Sequence, residues 1–382
     1  MDYDLSKPQK LLQEAVGTFV ARECPLTRVR ELIDRDSNGS ESTLEADLWQ
    51  SIADQGWIGL HLPEQLGGLD LTVVELAVVG EKLGQGCVPG PFLSTNWAAT
   101  LLAASSNDEL ARQVVPKMAE GSSRAAVAML GDELNWSEPA ASLKIRGSGD
   151  GLCLDGKKTV VMDAAGADVF VCVGGTANGA AIAVVPAGTE GVTIEATAGM
   201  DGTRPLSDVR FEGVRISSAQ VVADGVDAER AIRRANHVAA TLAAAELCGA
   251  AQWMLDTTVE YAKTRKQFDK VIGSFQAVQH QCADMLLMTE SSRSAVYYAA
   301  WALSVDDPAS AAAVSIAKAY CSDAAREVGN HAIQCHGGIG FTWEHDLHFF
   351  YKRARAAEYL LGDATYHREE LAKLVLDAQS EA

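Results

Sequence analysis

Along this chain the spacing of apolar residues changes period twice, and that double change restricts the fold more than any other feature. Over residues 7–120 the apolar positions recur at i, i+3 and i+4, as in Leu11, Leu12, Ala15, Val16, Phe19 and Val20, with breaks at Pro25, Pro63 and Gly67-Gly68. That is the period of a helix with one buried face. Over 123–223 the pattern becomes short β-branched runs between glycines: Ala126-Val127-Ala128-Met129, Val160-Val161-Met162, Val169-Phe170-Val171-Cys172-Val173, Ala181-Ile182-Ala183-Val184-Val185 and Val209-Arg210-Phe211. Runs of this kind are strands. From about 228 helical spacing returns in long Ala-rich segments, 238–265, 275–302 and 309–335, broken at Gly273, Asp306-Asp307-Pro308 and Gly337-Gly338. Long helices joined by short loops predict a bundle. The expectation is an α+β multidomain chain, with an N-terminal helical domain over 1–122, a middle β-barrel or sandwich domain over 123–226 and a C-terminal four-helix bundle over 227–382.

At 382 residues there is room for two or three cores. The 51 acidic against 32 basic side chains give a net charge of −19, a field that repels nucleic acid and anionic lipid. An anionic coenzyme would have to be met by local Arg, Lys or helix N-termini. Eight cysteines are scattered with no C-x-x-C pair and no Cys/His cluster, so no metal site and no disulfide framework is expected. Residues 1–13 carry no signal-peptide pattern, and the Ala-rich stretch 238–251 is short for a membrane span and interrupted by Glu246. The expected setting is cytoplasmic, without membrane insertion. No G-x-G-x-x-G opens a βαβ unit, so a dinucleotide would not lie in a Rossmann crevice.

Two patches carry residue types that packing alone does not call for. The first runs from Tyr261 through Arg265-Lys266-Gln267-Phe268 and Gly273 to Phe275-Gln276. It gathers a guanidinium, an amide and an aromatic ring, which suit pyrophosphate, polar base edges and a stacked ring. The plainer alternative is a solvated helix end whose cations favour the C-terminal dipole. The second is Gln334-Cys335-His336-Gly337-Gly338-Ile339-Gly340. Paired glycines after a helix let a ligand or a neighbouring chain approach the backbone, with Gln334 facing the gap; a simple glycine C-cap is the alternative. His336 has no second ligand at helical spacing and reads as a hydrogen-bonding residue.

Together the patches resemble the acyl-CoA dehydrogenase family over nearly the whole chain. Gly56-Trp57-Ile58-Gly59-Leu60, Pro63-Glu64, Gly67-Gly68, Glu75 and Glu81-Lys82-Leu83-Gly84 are similar to its first-domain signature, and Gly156-Lys157-Lys158, Ala167-Asp168 and Gly191-Val192 to its middle domain. Gly249, Gln252, Asp256, Tyr261, Arg265, Phe268, Gln276, Gln334, Gly337 and Gly338 are the most specific matches. The resemblance implies an α,β-dehydrogenation of an acyl-CoA thioester with FAD as cofactor and electron-transfer flavoprotein as acceptor. It further implies that Arg265, Gln267, Phe268, Gln276, Gln334, Gly337 and Gly338 contact the ADP half of a flavin held by a neighbouring subunit.

The same alignment leaves the catalytic base unfilled. A glutamate is needed to take the proton next to the thioester, yet the two usual positions fall on Leu361 and Ala239. Glu246 lies two helical turns beyond Ala239 on roughly the same face and is the candidate substitute. Glu358 and Asp363 flank Leu361 but are offset by three and two residues. The middle domain offers only Ser137-Glu138-Pro139-Ala140-Ala141-Ser142 and Thr159-Val160-Val161-Met162 where the family has a fuller flavin cradle. The resemblance therefore points to the subunit of a heterotetramer that completes a partner's FAD site, for acyl groups that include bulky steroid side chains. The alternatives are a self-sufficient homotetramer using Glu246, and a non-catalytic acyl-CoA-binding scaffold.

Overall fold

The computed structural model describes residues 4–35, 45–137, 140–148 and 151–380. Six helices come first: α1 (Lys7–Glu23), α2 (Leu26–Arg35), α3 (Ala46–Ala53), α4 (Val73–Gln85), α5 (Phe92–Ala103) and α6 (Asp108–Ala119). The strands β1 (Ala125–Ala128), β2 (Leu143–Ser148), β3 (Gly151–Met162), β4 (Val169–Thr176), β5 (Gly179–Pro186), β6 (Val192–Thr197), β7 (Leu206–Ile216) and β8 (Val221–Asp224) follow. The C-terminal part holds α7 (Gly225–Thr264), a small hairpin of β9 (Lys266–Gln267) and β10 (Lys270–Val271), then α8 (Gln276–Ser304), α9 (Ser310–His336), α10 (Leu347–Ala357) and α11 (Ala364–Ser380). This is the helical, β, helical order expected from the period changes.

By packing, the chain divides into two compact units, Met1–Glu31 with Val73–Val88 and Ala240–Ala382, and Leu32–Thr72 with Pro89–Ala239. The division by period marks changes in local pattern; the division by packing marks which stretches are buried together.

In the second unit the eight strands form one sheet in the order β6-β7-β3-β2-β4-β5-β8, with β1 added in parallel beside β4 through Ala125↔Val169. Alternate inward residues build its core, Leu154, Val161, Phe170, Val185, Val209 and Val214 among them, and the rings of Phe170 and Phe211 meet edge to face at 6.3 Å. The β3–β7 ladder slips between Leu154 and Gly156 and again between Lys158 and Val161. At the second slip Val160 adopts φ 54°, a conformation that a β-branched residue occupies only under constraint. Beside it Lys158 is fully buried and donates to the Met129 carbonyl at 2.6 Å.

In the first unit α8 packs on α9, which also carries α10 and α11. Helices α4 and α7 touch backbone to backbone: a Cβ at Gly249 would lie 1.8 Å from the Glu81 carbonyl oxygen, and one at Gly84 would lie 2.2 Å from that of Glu246. A buried polar network crosses the same contact. Arg293 on α8 donates to Glu81 at 3.0 Å and to Gln252 at 2.7 Å, and the Tyr297 hydroxyl donates to the second Glu81 oxygen at 2.7 Å. Burial and the adjacent Glu81 carboxylate push the Tyr297 phenol far up, so it stays a donor. Helix α7 is long and apolar enough to cross a membrane, but 89% of its most apolar window is buried within the fold, as in the core helix of a soluble protein.

Candidate functional site

The two sequence patches meet at one end of the bundle. Tyr261, in the last turn of α7, stacks on His336, the last residue of α9, with ring centroids 4.4 Å apart and planes 21° apart. His336 is buried, its Nδ1–H donates to the Ala332 carbonyl at 2.8 Å, and burial lowers its pKa. The Cys335 thiol donates to Gln281 of α8 at 2.8 Å, and burial pushes that thiol up to about 11. Ends of α7, α8 and α9 are thereby joined, and the residues singled out in both patches share this end.

Arg265 follows the last turn of α7 with an exposed side chain, its amide bonded to the Tyr261 carbonyl at 2.8 Å. Between α7 and α8 the chain turns through the β9–β10 hairpin, where Gln267 faces Lys270. The two turn residues, Phe268 and Asp269, have φ of 52° and 60°, the twist a two-residue hairpin needs but one normally filled by Asn-Gly. Phe268 is 84% exposed and touches Phe275 only edge to face. A large apolar ring held out on a strained turn is poor packing and a good contact for something outside the chain. Gln267 and Gln276 are exposed as well.

Gly337, which caps α9, has φ 62° and ψ −140°, a region open to glycine and strained for L residues. A Cβ at Gly337 or at Gly338 would meet nothing within 4 Å, so these glycines leave space uncovered. That space opens on a cavity of about 310 Å³ lined by Asn330, Ile333, Gln334, Gly337, Phe341 and Tyr351. The Tyr351 hydroxyl donates to Asn330 at 3.2 Å on its wall. Asn330 stands four residues before Gln334 on α9, so helical spacing could have found it; Tyr351 arrives from α10 and had no local signal. An exposed guanidinium, an open glycine turn and polar edge groups over an apolar wall fit the ADP half of FAD.

The position matched to the base is built differently. Leu361 is 3% exposed and held at φ 60°. Lys318, fully buried, donates to the Glu358 carbonyl at 3.0 Å, the Gly362 carbonyl at 2.9 Å and Ser322 at 3.1 Å, and His367 donates to the Leu361 carbonyl at 2.9 Å. Both flanking carboxylates are committed: Glu358 pairs with Arg326 at 2.7 Å and with Arg355, while Asp363 accepts the Tyr366 amide at 2.8 Å at the head of α11. Ala239 is 1% exposed and Glu246 is 4% exposed, both on α7. Among the described residues no group of three or more His, Cys, Asp or Glu could hold a metal ion.

The strand expected at the flavin ring is also occupied. The Thr159 hydroxyl donates to Asp208 at 2.5 Å and Met162 is buried. Glu138 and Pro139, part of the loop expected to cradle the ring, lie outside the described residues.

Comparison with known proteins agrees with this fold. Residues 6–122 match the model of the acyl-CoA dehydrogenase N-terminal domain, and residues 228–376 that of the C-terminal domain. Acyl-CoA dehydrogenase IpdE2 of Mycobacterium tuberculosis is 31% identical, the match covering 92% of each chain. The crystal structure of the ChsE4-ChsE5 complex from Mycobacterium tuberculosis superposes with a TM-score of 0.88 at 28% identity, covering 99% of each chain. The Tcur3481-Tcur3483 steroid ACAD superposes with a TM-score of 0.87 at 26% identity, covering 98% of this chain and 99% of that one. The chain belongs to the acyl-CoA dehydrogenase family, FAD-dependent oxidoreductases that act on the CH–CH bond of acyl-CoA thioesters.

Proposed function

We propose that this chain is the subunit of a hetero-oligomeric acyl-CoA dehydrogenase that completes the FAD site of a second, base-bearing subunit. The observation that carries the reading is Leu361. Its turn is clamped by Lys318 and His367, yet it presents an apolar side chain where the reaction needs a proton acceptor. At the other end of the bundle, Arg265, Phe268, Gln334 and the open Gly337-Gly338 turn are available to a nucleotide. Arg265 would pair with the pyrophosphate, Phe268 would cover a ring, and Gln267, Gln276 and Gln334 would read polar edges. Bound FAD supplies the hydride acceptor, and the proton would be taken by a carboxylate of the partner.

That two of the solved relatives are two-component assemblies, one called a steroid ACAD, supports both the pairing and a bulky acyl group as substrate. Electron-transfer flavoprotein is the proposed acceptor. The cytoplasm is the proposed compartment, in keeping with eight free thiols. Glu246, a carboxylate 4% exposed on α7, is what a self-sufficient homotetramer would rest on.

Co-expression with an acyl-CoA dehydrogenase-like subunit encoded nearby, followed by flavin absorbance, tests the reading. The expected outcome is a colourless single chain and a yellow, active pair. A single chain that purifies yellow and reduces an artificial acceptor with acyl-CoA would overturn it.

A further inference from the structure

We propose that Arg30 is a positioning residue of the nucleotide end, holding from α2 the segment that carries the Phe341 wall of the cavity; this rests on the nucleotide reading above. The guanidinium donates through Nη1 to the Trp343 carbonyl and through Nη2 to the Asp346 carboxylate, both at 2.5 Å, across 313 and 316 residues of chain. Its Cζ lies 4.8 Å from the ring centroid of Phe349 and 5.9 Å from that of Trp343. Asp346 is the residue that begins α10, and Phe349 is buried one turn on. One side chain therefore ties the free segment to the anchored start of a helix.

Burial holds this segment only at Gly340, which packs against the end of α9, and the His345 ring meets His336 at 4.7 Å; its large side chains are left out. Ile339, Phe341 and Trp343 are 43%, 75% and 47% exposed, so the hydrophobic effect acts weakly on all three. Thr342 bonds back to the Ile339 carbonyl through its amide at 3.1 Å and its hydroxyl at 3.0 Å, which makes residues 337–342 one local turn but does not fix that turn on the bundle. The ring of His348, 4.6 Å away, and the Lys352 ammonium, 5.1 Å away, also pack on Trp343. Arg30 is the contact that comes from outside the C-terminal helices, and it acts with a planar fork that lysine cannot reproduce. Phe341 shares the cavity with Gln334 and Gly337, so a segment released at Trp343 moves the wall against which a nucleotide would seat. Arg30 does not touch the ligand in this account; it acts through Trp343 and Asp346.

The test uses the full chain assembled with its co-expressed partner and stripped of flavin, with Arg30→Met and Arg30→Lys variants, and Arg265→Ala as a control. Hydrogen exchange reads the segment, and titration with ADP followed by NMR reads the site. In both Arg30 variants amide exchange over 337–347 should rise on the order of tenfold while the interiors of α8 and α9 stay protected. ADP should bind about fivefold more weakly in both, because lysine gives neither the fork nor the stacked plane. Unchanged exchange over 337–347, exchange raised equally throughout the bundle, or full rescue by lysine would overturn the role of Arg30. So would unaltered ADP affinity in the Arg30 variants when Arg265→Ala weakens it. If the wild-type pair binds no ADP, or Arg265→Ala leaves its affinity intact, the nucleotide reading itself falls and the role of Arg30 falls with it.

Discussion

At the scale of single residues the nucleotide end and the Leu361 turn respond to different changes. Arg265→Ala removes an exposed cation from the proposed pyrophosphate contact, and FAD affinity of the assembled enzyme should fall roughly ten- to a hundredfold, as for a charge-assisted hydrogen bond of about 1.5–3 kcal/mol. Equilibrium dialysis of flavin checks it; retained affinity would remove Arg265 from the site. Glu246→Gln separates the two catalytic readings: unchanged turnover of the active assembly strikes Glu246 from the reaction, while loss of turnover with FAD still bound supports it as the base. The buried lysines make a pH prediction. Burial lowers Lys158 to about 7 and Lys318 to about 8, against the ordinary lysine value of 10.5. Between those values and 10.5 the unfolded chain holds more protons than the folded one, so stability from these two groups rises with pH. The slope from each is at most about 1.4 kcal/mol per pH unit. Above pH 9 the buried Cys172 and Cys321 thiols, pushed up to about 12 by burial, oppose it. Urea unfolding at pH 7, 8 and 9 should show increasing stability, with a shallower rise in Lys318→Met; a flat or falling profile in the wild type would contradict the assignment.

At the scale of elements, the glycines that mark the family are explained by packing. Gly84 and Gly249 were legible as signature residues, but their reason was not, because a sequence does not say which helices cross. In the fold they let α4 and α7 approach until their backbones touch. Gly249→Ala would place a methyl group against the Glu81 carbonyl, and the helices would have to part across the network of Glu81, Arg293, Gln252 and Tyr297. We expect a loss of about 3 kcal/mol or more, read by chemical denaturation; a loss below about 0.5 kcal/mol would mean the contact is looser than described. Strands show the limit from the other side. The runs at 169–173 and 181–185 announced β4 and β5 because both are central and buried, whereas β6, with Glu195 and two threonines on an exposed edge, carries too little apolar pattern to stand out. The β9–β10 hairpin was invisible for a different reason: its turn is Phe268-Asp269 in place of the Asn-Gly that would signal it.

At the scale of the whole molecule, the prediction concerns assembly. If this chain lends its nucleotide end to a partner, the active particle contains both kinds of chain, and flavin should appear only when they are mixed. Light scattering with flavin absorbance on the mixed and separate chains would test it. A flavin-loaded particle containing this chain alone would favour the homotetramer that rests on Glu246.

What the sequence by itself determined was the order of helical and β regions and the family, and it named the residues proposed for the nucleotide end. Each of these is written in short-range pattern: apolar period, paired glycines, and a cluster of Arg, Gln and Phe within one turn. It also exposed the missing carboxylate, since Leu361 and Ala239 are read directly. What only the tertiary structure decided was how those parts are held. The stacking of Tyr261 on His336, the Tyr351 bond to Asn330 in the cavity wall, the Lys318 clamp on the Leu361 turn and the Arg30 tie to Trp343 join residues from 21 to 313 positions apart. Such contacts follow from where helices pack, and no local pattern encodes that.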